Sequence, residues 1–275
     1  MSVIKEGKKM MKTIGFIGAG NMATAIIKGL AAQNGNADNI RVFDVSEEKC
    51  TLMRELGATV CDSGAKTVEQ SDIIVLAVKP QNYAEVLEAL RPAVTMEKTL
   101  VSIAAGISIA YVQKAVGMDC PVVRVMPNTP LLLKKGATAL CPSENVSAEN
   151  KELIYQMFAG SGVCEYITED HMNEIIAVNG SSPAYIYLFA KTMADYAESV
   201  GIDRTAAMNL ICATLEGSAA MLRDSGDTAD QLIEKVSSKG GTTIAALEQL
   251  RGRGFTEALT EAMKACTNRA EELGR

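Results

Sequence analysis

The chain has 275 residues, of which 48% are hydrophobic and 22% are charged, so it carries enough apolar material for a sizeable core. This composition is typical of a soluble globular protein with one or two domains, and it excludes a mainly disordered chain. The formal net charge of -6 excludes a chain-wide basic surface for nucleic acid.

The N-terminal residues 1–11 carry charged side chains and no apolar segment. We interpret them as an N-terminal extension, either disordered or the product of an over-long start, and not as a signal peptide. No apolar stretch reaches the roughly 18–20 residues of a membrane-spanning helix, so we expect no membrane partner.

Short apolar runs alternate with helix-patterned segments through the first half of the chain. Strands are predicted at residues 13–17, 40–44, 73–78, 100–103 and 122–125, and helices at residues 21–33 and 47–56. Apolar strands that alternate with helices indicate a doubly wound parallel sheet.

The second half is helix-patterned, with dense alanine and methionine and few β-branched runs. Helices are predicted at residues 170–200, 204–223, 228–236, 243–251 and 255–273. Pro183 lies inside the first of them and should kink it. Several helices are apolar on both faces, which favours burial against another subunit; an ordinary helical core within one chain is the alternative.

A glycine motif, GxGxxA at Gly18–Ala23, follows the first predicted strand and opens the first predicted helix. This placement makes it specific for dinucleotide binding. Gly18 allows a tight turn, Gly20 lets the backbone approach a pyrophosphate, and the small Ala23 lets the helix pack closely on the sheet. The free N–H groups of the helix start would then face the phosphates. A tight strand-to-helix turn without a ligand is the alternative.

Asp44 lies at the end of the second predicted strand, where a carboxylate can accept hydrogen bonds from the adenosine ribose. An acid there would repel a 2′-phosphate and so favours NADH over NADPH. A surface aspartate that caps the next helix is the alternative reading. Arg41, Ser46 and Lys49 lie close enough in sequence to leave the choice open.

The chain has seven scattered cysteines and a single histidine. An odd number of cysteines without CxxC spacing indicates reduced thiols in a cytoplasmic protein. One histidine excludes HExxH zinc chemistry, and we expect no metal site. His171 stands beside two acids, and we expect it to be a surface residue. A substrate that is already an iminium needs little acid help to accept a hydride, which fits the absence of an evident base.

A turn rich in glycine and hydroxyl groups, Val236–Ile244, opens a predicted helix. Exposed N–H groups, the helix dipole and several hydroxyls suit a carboxylate. A simple N-cap is the alternative, but two glycines and two threonines exceed what capping needs. A second patch of small residues, Gly180–Tyr185, lies in a helical region, where it would also fit a kink with close helix packing.

These features resemble the pyrroline-5-carboxylate reductase family from about Lys12 to the C-terminus. The motifs that carry the resemblance are Ile14–Met22, Ala77–Pro80, Val101–Gly106, Met126–Pro130, Gly180–Tyr185 and Gly240–Thr243. The first is shared with many dehydrogenases, whereas the last three in this order are specific to the family.

The resemblance implies an α/β fold: an N-terminal Rossmann-type doubly wound parallel sheet at residues 12–167, then an all-α substrate-binding and dimerisation domain at residues 168–275. It implies reduction of 1-pyrroline-5-carboxylate to L-proline, the final step of proline biosynthesis, by NADH or NADPH. The implied oligomer is a dimer that can assemble further, up to a decamer.

The resemblance also implies the site residues. Those implied for the cofactor are Gly18, Ala19, Gly20, Asn21, Met22, Ala23, Asp44, Val45, Ser46, Ala77, Val78, Lys79, Pro80, Ala104, Ala105, Gly106 and Asn128. Those implied for the substrate are Glu169, Ser181, Ser238, Gly240, Gly241, Thr242 and Thr243. Thr243 is the implied catalytic residue, a proton donor or relay beside the ring nitrogen.

Three positions depart from the family pattern. Lys239 stands where a proline is usual, which loosens the substrate loop but adds a cation near a carboxylate site. Gly64 stands where an asparagine is common near the adenosine ribose, which removes one polar contact. Asp44 stands where serine or threonine is typical, which leaves the choice between NADH and NADPH open and favours NADH.

Two other functions stay open. One is a related NAD(P)-dependent reductase of another cyclic imine or of a β-hydroxyacid. The β-hydroxyacid group needs a lysine after the domain junction, and the motif around Lys191 does not match. The other is a dinucleotide-binding sensor without turnover, against which the intact Gly240–Thr243 turn argues.

Overall fold

The computed structural model describes residues 12–274 and divides into two compact units. Of the described residues, the first unit contains 12–181 and 266–274, and the second is Ser182–Ala265. The extension predicted at residues 1–11 lies outside the described residues. The boundary between the compact units therefore lies after Ser181. The predicted boundary between the dinucleotide-binding domain and the helical domain, between residues 167 and 168, stays a prediction.

The first unit is built on a sheet that has eight strands within the described residues. The strands are β1 (Ile14–Ile17), β2 (Ile40–Phe43), β3 (Thr59–Val60), β4 (Ile73–Leu76), β5 (Thr99–Ser102), β6 (Val122–Met126), β7 (Gly136–Pro142) and β8 (Gly162–Tyr166). Their order is β3-β2-β1-β4-β5-β6-β7-β8. All neighbouring pairs are parallel except β6 and β7, which are antiparallel. The predicted doubly wound sheet is confirmed. The strands β3, β7 and β8 were not predicted, and the antiparallel pairing of β6 with β7 departs from the parallel arrangement expected.

Helices cover both faces of this sheet. In the first unit they are α1 (Asn21–Asn34), α2 (Glu47–Glu55), α3 (Gly64–Glu69), α4 (Tyr83–Leu90), α5 (Ile109–Val116) and α6 (Ala148–Ala159). Phe16 and Ile73 join a hydrophobic cluster with α1 and α6, whereas Ile17 and Ile74 join a second cluster with α4 and α5. Because both faces are covered, the central strands read as continuous apolar runs, and every residue of β4 is buried.

The single helix predicted at residues 170–200 is wrong. Instead the chain forms a 3₁₀ turn at Glu169–His171, a π-helical turn at Ile176–Gly180, and then α7 (Ser182–Ser199). Pro183 is the second residue of α7, in the first turn, where its missing N–H group breaks no helical hydrogen bond. The predicted kink at Pro183 is therefore replaced by a helix start.

The second unit consists of helices. After α7 come α8 (Arg204–Asp224), α9 (Ala229–Lys235), α10 (Thr242–Gly252) and α11 (Phe255–Leu273), which match their predicted bounds within one residue at each end. The last of these begins in the second unit and ends in the first. By length and composition alone α8 is apolar enough to cross a membrane, although the sequence predicted no stretch of that length.

Apolar side chains in the second unit are largely exposed in the single chain. Ala190 and Ala194 of α7 and Ile211 of α8 form one small buried cluster. On the outside of the same two helices, Leu188 is 65% exposed and Leu210 is 69% exposed. The two helices therefore have few buried side chains of their own.

Candidate active site

The glycine turn lies where the carboxyl ends of β1, β2 and β4 meet. Gly18 N–H donates to the Phe43 carbonyl at 2.8 Å, and Ala77 N–H donates to the Ile17 carbonyl at 2.8 Å. Gly18 has φ +99°, and a Cβ atom there would lie 2.7 Å from the Ala77 carbonyl oxygen. A side chain is therefore excluded by both backbone strain and space. The sheet order reverses direction between β1 and β4, which is where α/β folds form ligand crevices.

The N-terminus of α1 is open. Gly20 is its N-cap residue, no side chain caps the helix, and a Cβ atom at Gly20 would meet nothing within 4 Å. The first-turn N–H groups of a helix lack intrahelical partners and attract anions through the helix dipole. An uncapped start with free space in front of it fits a dinucleotide pyrophosphate.

Asp44 is fixed beside this turn. Its Oδ2 accepts a hydrogen bond from Ala19 N–H at 2.7 Å and its Oδ1 accepts one from Ser46 N–H at 2.9 Å, while Lys49 Nζ lies 3.4 Å from Oδ2. Burial raises the pKa of this carboxyl, but the two backbone donors and Lys49 outweigh burial, so the net pKa lies below its usual value. The end of β2 therefore presents an oriented, ionised carboxylate. Neighbouring Val45 is exposed.

Two further loops predicted for the cofactor follow β4 and β5. Lys79 is exposed and precedes the 3₁₀ turn Pro80–Asn82. Gly106 has φ +82° and packs so closely on the carbonyl of Ala270 in α11 that a Cβ atom would overlap it. The end of α11 therefore supports the loop that carries Ala104–Gly106.

Asn128 follows β6 and is 8% exposed. Its Nδ2 donates to the Asn179 carbonyl at 3.1 Å, and its Oδ1 accepts from Ala137 N–H at 2.9 Å. Asn179 Nδ2 in turn donates to the Met126 carbonyl at 2.9 Å and the Ala137 carbonyl at 3.1 Å. These contacts join the end of β6, the start of β7 and the π-helical turn.

Glu169 is held by a buried arginine. Its Oε1 accepts from Ile109 N–H at 3.0 Å and from Arg124 Nη1 at 3.2 Å, and Arg124 Nη2 donates to Asn173 Oδ1 at 2.6 Å. The Arg124 side chain is 4% exposed. Burial and the nearby Glu169 carboxylate raise the pKa of the Cys141 thiol to about 12, so this thiol stays protonated. Arg124 was missed at the sequence level, although a charge inside a buried strand needs a partner.

Ser181 closes the π-helical turn. Its N–H donates to the Ile176 carbonyl at 2.7 Å, and its hydroxyl accepts from the Cys266 thiol at 3.3 Å. Both atoms of Ser181 are therefore held by neighbours within the first unit. His171 is exposed on the preceding 3₁₀ turn, as predicted.

The glycine- and hydroxyl-rich turn of the second unit leads into α10. Gly240 has φ +74°, and Gly241 N–H donates to the Ser238 carbonyl at 2.9 Å. Gly241 is the N-cap residue, and no side chain caps the helix. Ser237 Oγ is buried and has no hydrogen-bond partner within residues 12–274. Thr243 is half-buried in the first turn of α10.

The residues predicted for the cofactor and the substrate thus fall in two places. The first unit joins the glycine turn, Asp44 and Ala77 by direct hydrogen bonds. It holds Asn128, Glu169 and Ser181 through three separate sets of hydrogen bonds. The second unit holds Ser238–Thr243. Both places offer a helix N-terminus without a side-chain cap.

Comparison with known proteins gives two matching family models. One, described as pyrroline-5-carboxylate reductase dimerisation, matches residues 169–273. The other, described as NADP oxidoreductase coenzyme F420-dependent, matches residues 13–106.

Curated relatives and solved structures match over nearly the whole chain. A pyrroline-5-carboxylate reductase of Pseudomonas aeruginosa is 38% identical, with 94% of this chain and 96% of the relative covered. That of Escherichia coli is 35% identical, with 97% and 100% covered. The crystal structure of Plasmodium falciparum pyrroline carboxylate reductase with NADP bound is 30% identical with a TM-score of 0.88, with 96% of this chain and 98% of that chain covered. A structure from Coxiella burnetii is 32% identical with a TM-score of 0.86, with 96% and 99% covered.

Proposed function

The chain belongs to the pyrroline-5-carboxylate reductase family, and on this basis we propose which of its residues bind the cofactor, bind the substrate and supply the proton. The protein is an NAD(P)H-dependent oxidoreductase that reduces 1-pyrroline-5-carboxylate to L-proline, the last step of proline biosynthesis. When bound, NAD(P)H supplies the hydride that the imine carbon accepts. The ring nitrogen gains a proton, either before binding or at the site.

The cofactor is proposed to lie over the carboxyl ends of β1, β2 and β4. The Gly18–Ala23 turn would hold the pyrophosphate, Asp44–Ser46 the adenosine ribose, and Ala77–Pro80 with Ala104–Gly106 the side toward the nicotinamide. The open, uncapped helix start at Gly20 supports this assignment most directly.

We propose that NADH is preferred over NADPH. The ionised Asp44 carboxylate can accept hydrogen bonds from ribose hydroxyls and would repel a 2′-phosphate. Lys49, 3.4 Å away, partly offsets that charge. Arg41 directs its Nη1 to the carbonyls of Asp38 and Ile40, which supports the same preference.

The substrate carboxylate is proposed to bind the Ser238–Thr243 turn. Its support is the uncapped start of α10 and the buried, unpartnered hydroxyl of Ser237. Gly240, Gly241 and Thr242 would offer N–H and hydroxyl groups, and Lys239 adds a nearby positive charge. Thr243 would donate or relay the proton to the ring nitrogen.

On the first unit, Glu169 and Ser181 are proposed substrate contacts. Each is fixed by neighbours, Glu169 by Arg124 and Ile109 and Ser181 by Cys266. A side chain held in this way can make a further hydrogen bond to the substrate in one fixed orientation. Less side-chain entropy is then lost when the substrate binds.

Residues 12–167 are proposed to bind the dinucleotide, and residues 168–275 are proposed to bind the substrate and to form the dimer. The dimerisation model matches residues 169–273, and α7 and α8 expose large apolar side chains. We therefore propose a dimer that can assemble further, up to a decamer, in the cytoplasm. The cytoplasmic assignment is supported by seven cysteines that are all free thiols.

The reaction is tested by following oxidation of NADH and NADPH in parallel with 1-pyrroline-5-carboxylate. We expect rapid oxidation, with L-proline as the product identified by mass spectrometry, and a higher kcat/KM with NADH. Absence of oxidation by folded protein that binds NADH would contradict the substrate assignment. Equal use of both cofactors would contradict the role proposed for Asp44.

A further inference from the structure

The π-helical turn Ile176–Gly180 is fixed to the end of β6 rather than only to its own backbone. π-turns are rare and are often found at functional sites. Here Gly180 packs so closely on Met126 that a Cβ atom would overlap the methionine methyl group. The turn ends at Ser181, whose N–H closes its last hydrogen bond to Ile176 at 2.7 Å.

Asn128, just after β6, is one of the side chains that connect this strand to the turn. It donates to the Asn179 carbonyl, and Asn179 donates back to the Met126 carbonyl, so the two asparagines form a reciprocal clamp. The other end of the Asn128 amide accepts from Ala137 N–H at 2.9 Å. Both polar atoms of Asn128 are therefore engaged, in a side chain that is 8% exposed.

The contacts of Asn128 favour a role different from the cofactor contact that the family resemblance implies. Both hydrogen bonds of its amide go to backbone groups of the protein, so the side chain ties these groups together. Releasing either one would leave a buried backbone group without its partner, which costs more than an exposed hydrogen bond returns.

We propose that Asn128 is a positioning residue for the substrate rather than a cofactor contact: through Asn179 it fixes the π-helical turn, and so it fixes Ser181. The proposal rests on the proposed function, because it takes Ser181 as a substrate contact. Loss of Asn128 should then weaken substrate binding and leave dinucleotide binding unchanged.

The test compares Asn128→Ala and Asn128→Asp with the wild-type enzyme. KM for 1-pyrroline-5-carboxylate is measured by steady-state kinetics, and Kd for NADH by fluorescence titration without substrate. Both variants lose the buried hydrogen bond to the Asn179 carbonyl, so we expect KM to rise at least about tenfold in each, with Kd for NADH unchanged. Asn128→Asp keeps the acceptor for Ala137 and loses only the donor to Asn179. At acid pH the introduced carboxyl group becomes protonated, and its O–H group can again donate to the Asn179 carbonyl. The ratio of the KM of Asn128→Asp to the wild-type KM should therefore be smaller at acid pH than at neutral pH.

The matched control is Asn150→Ala. Asn150 is also buried, and its Nδ2 donates to Thr99 Oγ1 at 2.7 Å at the amino end of β5, the opposite edge of the sheet. Its melting temperature should fall like that of Asn128→Ala, whereas its KM should stay at the wild-type value. This control separates a loss of positioning from a general loss of stability.

Two results would overturn the proposal. A raised Kd for NADH with an unchanged KM for the imine would make Asn128 a cofactor contact. Unchanged values of both constants in both variants would leave it without a role in the site. A wild-type enzyme that does not reduce the imine would instead contradict the proposed function, before any variant is compared.

Discussion

The two units differ in how completely each buries its apolar side chains. In the first unit the strands are covered on both faces, and the residues of β4 are no more than 1% exposed. In the second unit, α7 and α8 share one small cluster and leave leucines and aromatic rings outside it. Many exposed large apolar side chains on two neighbouring helices are typical of an interaction site. One chain therefore completes the core of the first unit, whereas the second unit has apolar faces suited to a partner.

The same contrast separates the two proposed binding turns. The glycine turn at Gly18 is braced by strands of the sheet on both sides. The Ser238–Thr243 turn is carried by helices that have little core of their own. We infer that cofactor binding depends on the fold of one chain, and that substrate binding depends in addition on self-association. The predictions that follow test this difference.

The largest effect is expected from charging the apolar face of α7 and α8 with Leu188→Glu and Leu210→Glu together. Burial of each leucine contributes about 1.5–3 kcal/mol, and a buried unpaired charge costs more. We expect the dimer dissociation constant to rise at least about 10³-fold. Light scattering coupled to size-exclusion chromatography should then show a monomer that still binds NADH.

The matched control is Met96→Glu, an exposed apolar residue in the first unit, 56% exposed and outside every proposed site. It should remain a dimer. A dimer in the double variant would mean that the partner surface is elsewhere. Loss of NADH binding in the double variant would contradict the inference that cofactor binding depends on the fold of one chain alone.

The next effect concerns the second unit's own chemistry. Thr243→Ala removes the hydroxyl proposed to supply the proton to the ring nitrogen. A positioned proton donor typically contributes at least about 10²-fold, so we expect kcat to fall by that factor with Kd for NADH unchanged. Thr260→Ala, which removes an exposed hydroxyl on α11, serves as the control. An unchanged kcat/KM would remove Thr243 from the mechanism.

Sequence patterns predicted some parts of the first unit better than others. The apolar run at Ile73–Leu76 and the glycine at position 18 are tied to local requirements, a strand covered on both faces and a backbone with φ +99°. The strand Gly162–Tyr166 was missed because it is an edge strand with charged and exposed residues. The π-helical turn was predicted as ordinary helix, because it is in contact with Asn128 and Met126, about fifty residues earlier in sequence. Long-range polar contacts of this kind leave no periodic signal.

A smaller effect is expected at Asp44 in the first unit. Asp44→Ser removes the carboxylate that would repel a 2′-phosphate, and it releases Lys49 to meet that phosphate. We expect the ratio of kcat/KM for NADH to that for NADPH to fall about tenfold, the scale of one charge contact near a protein surface. Kd for the two dinucleotides, measured without substrate, should shift in the same direction. Glu48→Ser, an exposed acid in the first turn of α2, should leave the ratio unchanged. An unchanged ratio in Asp44→Ser would show that cofactor choice depends on other residues.

The smallest effect is expected at His171, although histidine is the commonest acid or base in enzymes. It lies exposed on a turn, while its neighbour Glu169 points into the network of Arg124. A protonated imine accepts a hydride without a strong acid beside it, so the reaction does not need an imidazole. His171→Ala should therefore keep kcat/KM within about twofold of wild type, the scale of a surface substitution. A loss of kcat as large as that expected for Thr243→Ala would mean that the proton comes from the first unit. The assignment of the proton donor to the second unit would then be wrong.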